Sequence, residues 1–134
     1  MPKLRELTDD QVLQWLQRVN ELADDGDRVC SNDEALRYCQ VCDCYVADTT
    51  GGQVLILANQ NATTKKWRIF DVIPQHGVAE ADAARILNRF AADLEANVTF
   101  VAEFARQWRI LVSLESHARL AISDDQRTAN WTRR

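Results

Sequence analysis

The sequence lacks any uninterrupted apolar run that approaches the ~18 residues a membrane-spanning helix requires. No apolar segment typical of a signal peptide follows the initial MPKLRE. The Gly-x-Ser-x-Gly, His-Glu-x-x-His and Walker signatures of three large enzyme classes are missing as well. Internal repeats and low-complexity linkers are also absent from the sequence. We therefore expect a cytoplasmic protein with no membrane segment, folded as a single α+β domain over residues 1–134.

The composition is that of an ordinary globular domain, with 46% hydrophobic and 27% charged residues. A chain of 134 residues is long enough to bury a hydrophobic core without disulfides or metals. The formal net charge of −4 argues weakly against a protein whose main task is to neutralise phosphates.

The N-terminal region predicts one helix followed by a sheet. Thr8 and Gln11 have the spacing of a capping box, apolar residues then recur at helical spacing as far as Leu22, and the helix is expected to end near Gly26. Ser31–Glu34 and Ser123–Gln126 repeat the capping pattern. Residues 38–47, 54–58 and 65–73 are rich in β-branched and aromatic residues and are separated by polar turns. They predict a three-stranded antiparallel meander.

Residues 78–120 carry an apolar heptad whose register never shifts, which predicts amphipathic helix. One straight helix would be roughly 65 Å long, whereas a compact domain of this size has a radius of gyration of about 14 Å. The sequence therefore predicts either one long C-terminal helix or two packed helices with a break near Asn97. Asn97 is the one polar residue in the seam, an arrangement that can fix the register of a homodimer.

The cysteines are the most specific feature of the sequence. Cys30, Cys39, Cys42 and Cys44 lie within one short segment, and His76 lies after the third predicted strand. Thiolate and imidazole are the usual ligands of zinc, and Cys-x-x-Cys is a frequent half-site. A zinc site is therefore one interpretation, and small buried hydrophobes in a sheet are the other.

Two segments combine cations with aromatic rings. The first is Lys65-Lys66-Trp67-Arg68 and the second contains Arg127, Trp131, Arg133 and Arg134. Such mixtures can hold phosphates and stack bases, so the first segment is a candidate nucleic-acid contact. The alternative is a charged edge strand that discourages aggregation, with Trp67 directed into the core.

Acidic residues cluster after the first predicted helix. Asp24, Asp25 and Asp27 lie where the helix dipole disfavours negative charge, and Asp33 and Glu34 follow. A local rule broken without visible gain is typical of a functional surface. We therefore interpret these five carboxylates as a partner-binding patch, and the alternative is a solvated acidic loop.

The favoured function from sequence is a non-catalytic protein-binding module, such as a small adaptor, chaperone or inhibitor of a nucleic-acid enzyme. Its second surface would be the exposed helical face that carries Arg85, Arg89 and Arg106. One alternative is a zinc-stabilised nucleic-acid-binding module. Another is a small enzyme that uses the Cys42 thiol or the His76 imidazole. No cofactor other than zinc is expected, and a protein partner is favoured over nucleic acid.

Overall fold

The computed structural model of the chain describes residues 5–22, 42–75, 77–94, 97–102 and 105–133. These residues form one seven-stranded mixed sheet and three helices. In chain order the elements are β1 (Arg5–Glu6), α1 (Asp9–Leu22), β2 (Asp43–Thr49), β3 (Gly52–Gln60), β4 (Trp67–Pro74), α2 (Glu80–Asp93), β5 (Val98–Val101), α3 (Ala105–Leu114), β6 (Ala118–Ile122) and β7 (Thr128–Arg133).

The strands follow the order β1-β2-β3-β4-β5-β7-β6 across the sheet. All neighbouring pairs are antiparallel except β4 and β5, which are parallel because α2 connects them as a crossover. β4 and β5 therefore lie in the middle of the sheet, with an antiparallel group of strands on either side.

Helices cover both faces of the sheet. Val12 of α1 packs with Cys42, Cys44, Leu55 and Leu57 on one face. On the other face, α2 and α3 cover Val54, Ile56, Ala58, Ile69, Val72, Val98 and Phe100. The continuous apolar run in β3 follows from this arrangement, since both of its faces are buried.

The first helix agrees with the sequence prediction in both its position and its cap. The Gln11 backbone N–H donates to Thr8 Oγ1 at 3.3 Å, and the Thr8 N–H donates to Gln11 Oε1 at 3.0 Å. These reciprocal bonds are a capping box. The Ser31–Glu34 segment lies outside the described residues.

The predicted architecture is nevertheless wrong. Strands β2, β3 and β4 are antiparallel neighbours, but they form only part of the seven-stranded sheet. The region predicted as C-terminal helix, residues 78–120, contains α2, β5, α3 and the start of β6. Val98 and Phe100 are buried while Thr99 and Val101 are half-buried, which is the period of a strand. Of the four residues of β5, only the half-buried Val101 falls on the heptad, and the buried Val98 and Phe100 lie off it.

The apolar heptad around Asn97 therefore does not form a coiled coil. Asn97 is exposed between α2 and β5, and its carbonyl accepts a hydrogen bond from the Trp67 N–H at 2.8 Å. The residue marks the start of the parallel β4–β5 pair, not a register point between two helices. Asn97 therefore gives no argument for a homodimer, which stays an untested prediction.

The capping pattern at Ser123–Gln126 belongs to a hairpin turn between β6 and β7 and does not begin a helix. Ser123 Oγ donates to Asp125 Oδ1 at 2.5 Å and accepts from the Thr128 N–H at 3.2 Å. Gln126 adopts a left-handed conformation with φ 57°. Serine and aspartate stabilise turns and helix starts through the same local hydrogen bonds, so the pattern did not distinguish between them.

Candidate active site at the cleft between β4 and β5

The parallel strands β4 and β5 are paired over only part of their length. Their register joins Trp67 to Val98, Arg68 to Thr99 and Ile69 to Phe100. β5 ends at Val101, whereas β4 continues to Pro74. The part of β4 beyond Ile69 therefore borders a gap in the middle of the sheet, which we call the β4–β5 cleft.

A β-bulge in β4 lies at the point where the cleft begins. Ala58 pairs with Ile69 and Leu57 pairs with Asp71, so Phe70 is the extra residue. The bulge reverses the alternation of β4 side chains. Phe70 and Ile73 pack towards α1, while Ile69 and Val72 pack towards α2. Regular alternation along the sequence would place Ile69 and Ile73 on the same face, and the bulge separates them.

A buried ion pair occupies the cleft. The guanidinium of Arg106 in α3 donates to both carboxylate oxygens of Asp71, at 2.6 and 2.5 Å. Asp71 and Arg106 are each only 8% exposed. The Val72 N–H also donates to Asp71 Oδ1 at 2.8 Å. This bidentate geometry is the strongest form of an arginine–carboxylate contact, and it ties α3 to β4 at the bulge.

The amide side chain of Gln107 also reaches into the cleft. Its Nε2 donates to the Phe70 carbonyl at 3.3 Å, so it contacts the bulged residue directly. The space left in the cleft is a cavity of about 20 Å³. It is lined by Ile69, Asp71, Val72, Leu87, Phe100, Val101, Gln107, Ile110 and Leu111. A cavity of this volume holds about one water molecule.

The start of α2 lies after the loop that follows β4. The N-cap residue Ala79 provides no side-chain hydrogen bond to the first turn. Glu80 and Asp82 place negative charge there, which the helix dipole favours. Arg109 of α3 donates to Glu80 at 2.9 Å, and Arg85 pairs with Asp82 at 3.0 Å. These carboxylates disfavour a second anion at this end of α2.

The sequence-predicted basic segment lies at the opposite end of the β4–β5 pair. Lys65 and Lys66 belong to the β3–β4 turn, and Trp67 and Arg68 begin β4. The edge-strand interpretation is wrong, because β4 is central in the sheet. Trp67 is half-buried and packs edge-on against Phe90, with ring centroids 6.2 Å apart.

The second cation-aromatic segment meets the first one here. Trp131 and Arg133 of β7 join Lys65 and Lys66 in one groove of about 570 Å³. We call it the basic groove, and its lining consists of Thr64, Lys65, Lys66, Ala91, Ala92, Asn97, Trp131 and Arg133. Arg127 lies at the other end of β7, beside Ala102. Arg134 lies outside the described residues.

The structure gives no support to the predicted zinc site. Cys42 and Cys44 are buried in the apolar layer beneath α1, in the manner of small core residues. Among the described residues, no group of three or more His, Cys, Asp or Glu side chains could hold a metal ion. Cys30, Cys39 and His76 lie outside the described residues, as do Asp24, Asp25, Asp27, Asp33 and Glu34. The partner-binding patch formed by these five acids therefore stays a prediction.

Sequence reasoning missed the cleft residues. Arg106 was expected on an exposed helical face, but it is buried against Asp71. The signal in the sequence was Asp71, a carboxylate between the apolar residues Phe70 and Val72. In a buried strand such a carboxylate requires a cationic or hydrogen-bonding partner. The identity of that partner depends on how α3 crosses the sheet, which the sequence pattern does not specify.

No helix in the described part of the chain is both long and apolar enough to cross a membrane. No protein-family model and no curated protein matches the sequence.

Solved structures do share the fold. An acetyltransferase from Bacillus subtilis, crystallised in complex with CoA, aligns with a TM-score of 0.55 and 9% identity, over 98% of this chain and 97% of that one. A structure described as histone acetyltransferase HPA2 and related acetyltransferase, from Corynebacterium glutamicum, aligns with a TM-score of 0.53 and 13% identity, over 97% and 94%. The fold resembles that of the GNAT acetyltransferases. This likeness overturns the interpretation as a non-catalytic binding module or inhibitor, and it gives no support to a zinc-stabilised module.

Proposed function

We propose that the chain is an acyltransferase that moves an acyl group from a CoA-type thioester to an amine. The observation that carries the proposal is the β4–β5 cleft, in which a central parallel strand pair opens at a β-bulge. The acetyltransferase fold supports it, and one of the structures with that fold was crystallised with CoA. A thioester supplies an activated acyl group when it is bound.

The chain's own groups can contribute mainly by positioning. Transfer from a thioester to an amine requires the two reactants to be held in line and the developing charge on the carbonyl oxygen to be stabilised by fixed dipoles. The backbone of β4 beyond Ile69 borders the cleft and provides such dipoles on a rigid element. The Asp71–Arg106 pair holds α3 against the bulge and so fixes the wall of the cleft.

The fit to a CoA-type donor differs along the cleft. At the bulge, a ligand must replace Gln107 on the Phe70 carbonyl, because the remaining cavity of about 20 Å³ does not accommodate a thioester arm. At the start of α2, the carboxylates of Glu80 and Asp82 do not suit a pyrophosphate. We therefore expect a donor that is recognised chiefly through its arm and only weakly through its phosphates.

Gln107 provides a direct test. Gln107→Ala removes both the side-chain volume and the bond to Phe70, whereas Gln107→Met keeps the volume and removes the polar amide that forms the bond. Because a neutral hydrogen bond contributes about 1 kcal/mol, we expect either variant to bind acetyl-CoA about fivefold more tightly than the wild type. Gln107→Ala should show the larger gain. Calorimetric titration with acetyl-CoA measures both affinities.

Transfer itself is measured by mass spectrometry of a panel of primary amines incubated with acetyl-CoA and the protein. Val112→Ala is the matched control, since Val112 is 65% exposed on α3 and does not line the cleft. It should behave as the wild type does. If neither the wild type nor Gln107→Ala binds acetyl-CoA or acylates any amine, the proposal is wrong.

A further inference from the structure

We propose that the basic groove is a separate binding site for a nucleoside phosphate. The groove lies at the paired end of β4 and β5, where Trp67 meets Val98, and the cleft lies at the other end of β4. The two sites share no lining residue. The inference therefore stands apart from the proposed acyl transfer and can fail or succeed independently of it.

The charge of the groove favours an anion. Lys65, Lys66 and Arg133 all line it, and its described lining includes no carboxylate. Neither lysine forms a side-chain ion pair with another described residue. Both lysines are exposed in a chain of net charge −4, so the local charge is opposite to that of the whole molecule. Such a concentration of positive charge attracts phosphate groups.

The turn that carries the lysines is held in a fixed shape. Lys65 has a left-handed backbone with φ 62°, which is uncommon for a residue with a side chain. Its N–H donates to the Asn61 carbonyl at 2.9 Å, and the Asn61 N–H donates to the Lys66 carbonyl at 2.9 Å. The Asn61 side chain accepts from the N–H groups of Thr63 and Thr64, both at 2.9 Å. Backbone strain that the surroundings maintain is typical of ligand sites.

The other wall is fixed by two hydrogen bonds to α2. The indole N–H of Trp131 donates to Asn88 Oδ1 at 3.0 Å, and the Arg133 guanidinium donates to the Ala92 carbonyl at 2.7 Å. The ring of Trp131 is therefore held beside the cations and remains half-buried. A planar base can stack on such a ring, and stacking does not depend strongly on which base is present.

Size and shape select a single nucleotide from the molecules that combine phosphate with an aromatic ring. The volume of about 570 Å³ lies within the range of small-molecule sites, about 300–1,000 Å³. Only one aromatic side chain, Trp131, is among the described lining residues, whereas proteins that bind single strands stack several successive bases. One base on Trp131 with its phosphates on Lys65 and Lys66 uses the aromatic ring and both exposed lysines of the groove.

The test uses uridine diphosphate, which lacks the adenine of CoA and therefore does not imitate the proposed donor. Calorimetric titration at low ionic strength should show saturable binding of one equivalent. Affinity should fall as salt is added, because charge contacts are screened. It should be unchanged by saturating acetyl-CoA. Uridine and pyrophosphate, titrated separately, should each bind at least about tenfold more weakly, since each lacks one of the two contacts.

Three variants assign the binding to the groove. Lys65→Asn keeps a residue that tolerates the left-handed backbone, and Lys66→Gln keeps the side-chain length. Each should weaken uridine diphosphate binding about tenfold, because a hydrogen bond to a charged group is lost. Trp131→Leu should cost about tenfold through lost stacking. Arg119→Gln is the matched control. It removes an exposed charge on β6, the strand next to β7, that is outside the groove lining, and it should leave the affinity unchanged.

Thermal unfolding of every variant shows whether it is folded, and Trp131→Phe replaces Trp131→Leu if the latter unfolds, with a smaller loss expected. The proposal is overturned if uridine diphosphate does not bind saturably. It is also overturned if Arg119→Gln weakens binding as much as the lysine variants do. Equal binding of pyrophosphate and uridine diphosphate, or binding of a thymidine octamer without binding of the nucleotide, would likewise refute a nucleotide site.

Discussion

The two ends of the parallel β4–β5 pair differ in charge, in burial and in the space they leave. At the cleft, the cation and the carboxylate are both protein groups, buried and bonded to each other, and about 20 Å³ remains. At the basic groove the cations face solvent and about 570 Å³ remains. One end therefore has its electrostatic partners within the chain, while the other presents charge to a ligand.

This difference has an energetic consequence. Removal of the Arg106 guanidinium from the cleft leaves the Asp71 carboxylate buried and uncompensated, which is costly. A charge removed from the groove leaves only a solvated surface, so folding should hardly change. Stability measurements therefore distinguish the two ends before any ligand is known.

The largest expected effect comes from breaking the buried pair. Arg106→Leu should lower the free energy of unfolding by about 3–5 kcal/mol, since it leaves the buried Asp71 carboxylate without its ion-pair partner. Urea denaturation with a linear extrapolation measures this change. The same experiment on Arg109→Gln, which breaks the exposed pair with Glu80, should show a loss of at most about 1 kcal/mol.

The double variant Asp71→Leu/Arg106→Leu sharpens that result. Replacing both members of a buried pair by apolar residues is often neutral or stabilising, so it should recover most of the loss. A single variant that costs no more than Arg109→Gln would show that the cleft pair is solvated. The contrast between the two ends would then be wrong.

A smaller effect is expected at the start of α2, which belongs to the cleft end. Glu80→Gln with Asp82→Asn removes two acids that the helix dipole favours, so the free energy of unfolding should fall by about 1 kcal/mol. The same change should tighten the binding of acetyl-CoA, because a pyrophosphate near this helix end would no longer meet two carboxylates. Denaturation and calorimetry report the two effects separately. Lower stability without tighter binding would show that the phosphates of acetyl-CoA do not bind near the start of α2.

Local signals in the sequence were reliable where one element satisfied its own hydrogen bonds. The Thr8–Gln11 capping box and the start of α1 are examples, since the cap forms within four consecutive residues. They failed where a nonlocal partner decided the structure. Val98 and Phe100 belong to a strand because β4 and β7 lie on either side of them, although the helical heptad has positions close by at Asn97 and Val101. The bulge at Phe70 likewise follows from the β3 register and has no signature in the sequence.

The two candidate sites were visible from sequence to different degrees. Lys65, Lys66, Trp131 and Arg133 were noted as two cation-aromatic segments, because their composition is unusual. Only the order of the strands, with β5 between β4 and β7, shows that these segments share one groove. The pairing of Asp71 with Arg106 was not predicted, and Arg106 was assigned to an exposed helical face, since an isolated acid and an isolated base are common. Their significance depends on burial, which is a property of the whole fold.

The smallest effect concerns the β6–β7 turn, which adjoins the cleft end because the Arg127 carbonyl accepts from the Ala102 N–H at 2.8 Å. Hydrogen bonds from the Ser123 hydroxyl and then the Arg127 N–H hold the pKa of Asp125 below its usual value of 3.8. A lowered pKa in the folded state means that the ionised carboxylate stabilises the fold. This contribution is present above pH 3.8 and is lost as the pH falls through the lowered pKa of the folded state.

Asp125→Asn isolates that ionisation, because the carboxamide oxygen still accepts hydrogen bonds but carries no charge. The melting temperature of the wild type should exceed that of the variant slightly at pH 6, and the difference should shrink as the pH is lowered below 3.8. Asp124→Asn is the control, since it removes an exposed charge next to Asp125 in the same turn. A difference that stays constant from pH 6 down to pH 2 would mean that the turn depends on the shape of the side chain and not on its charge. The cleft end would then contain one charged group whose neutralisation costs nothing, as we expect only of the groove.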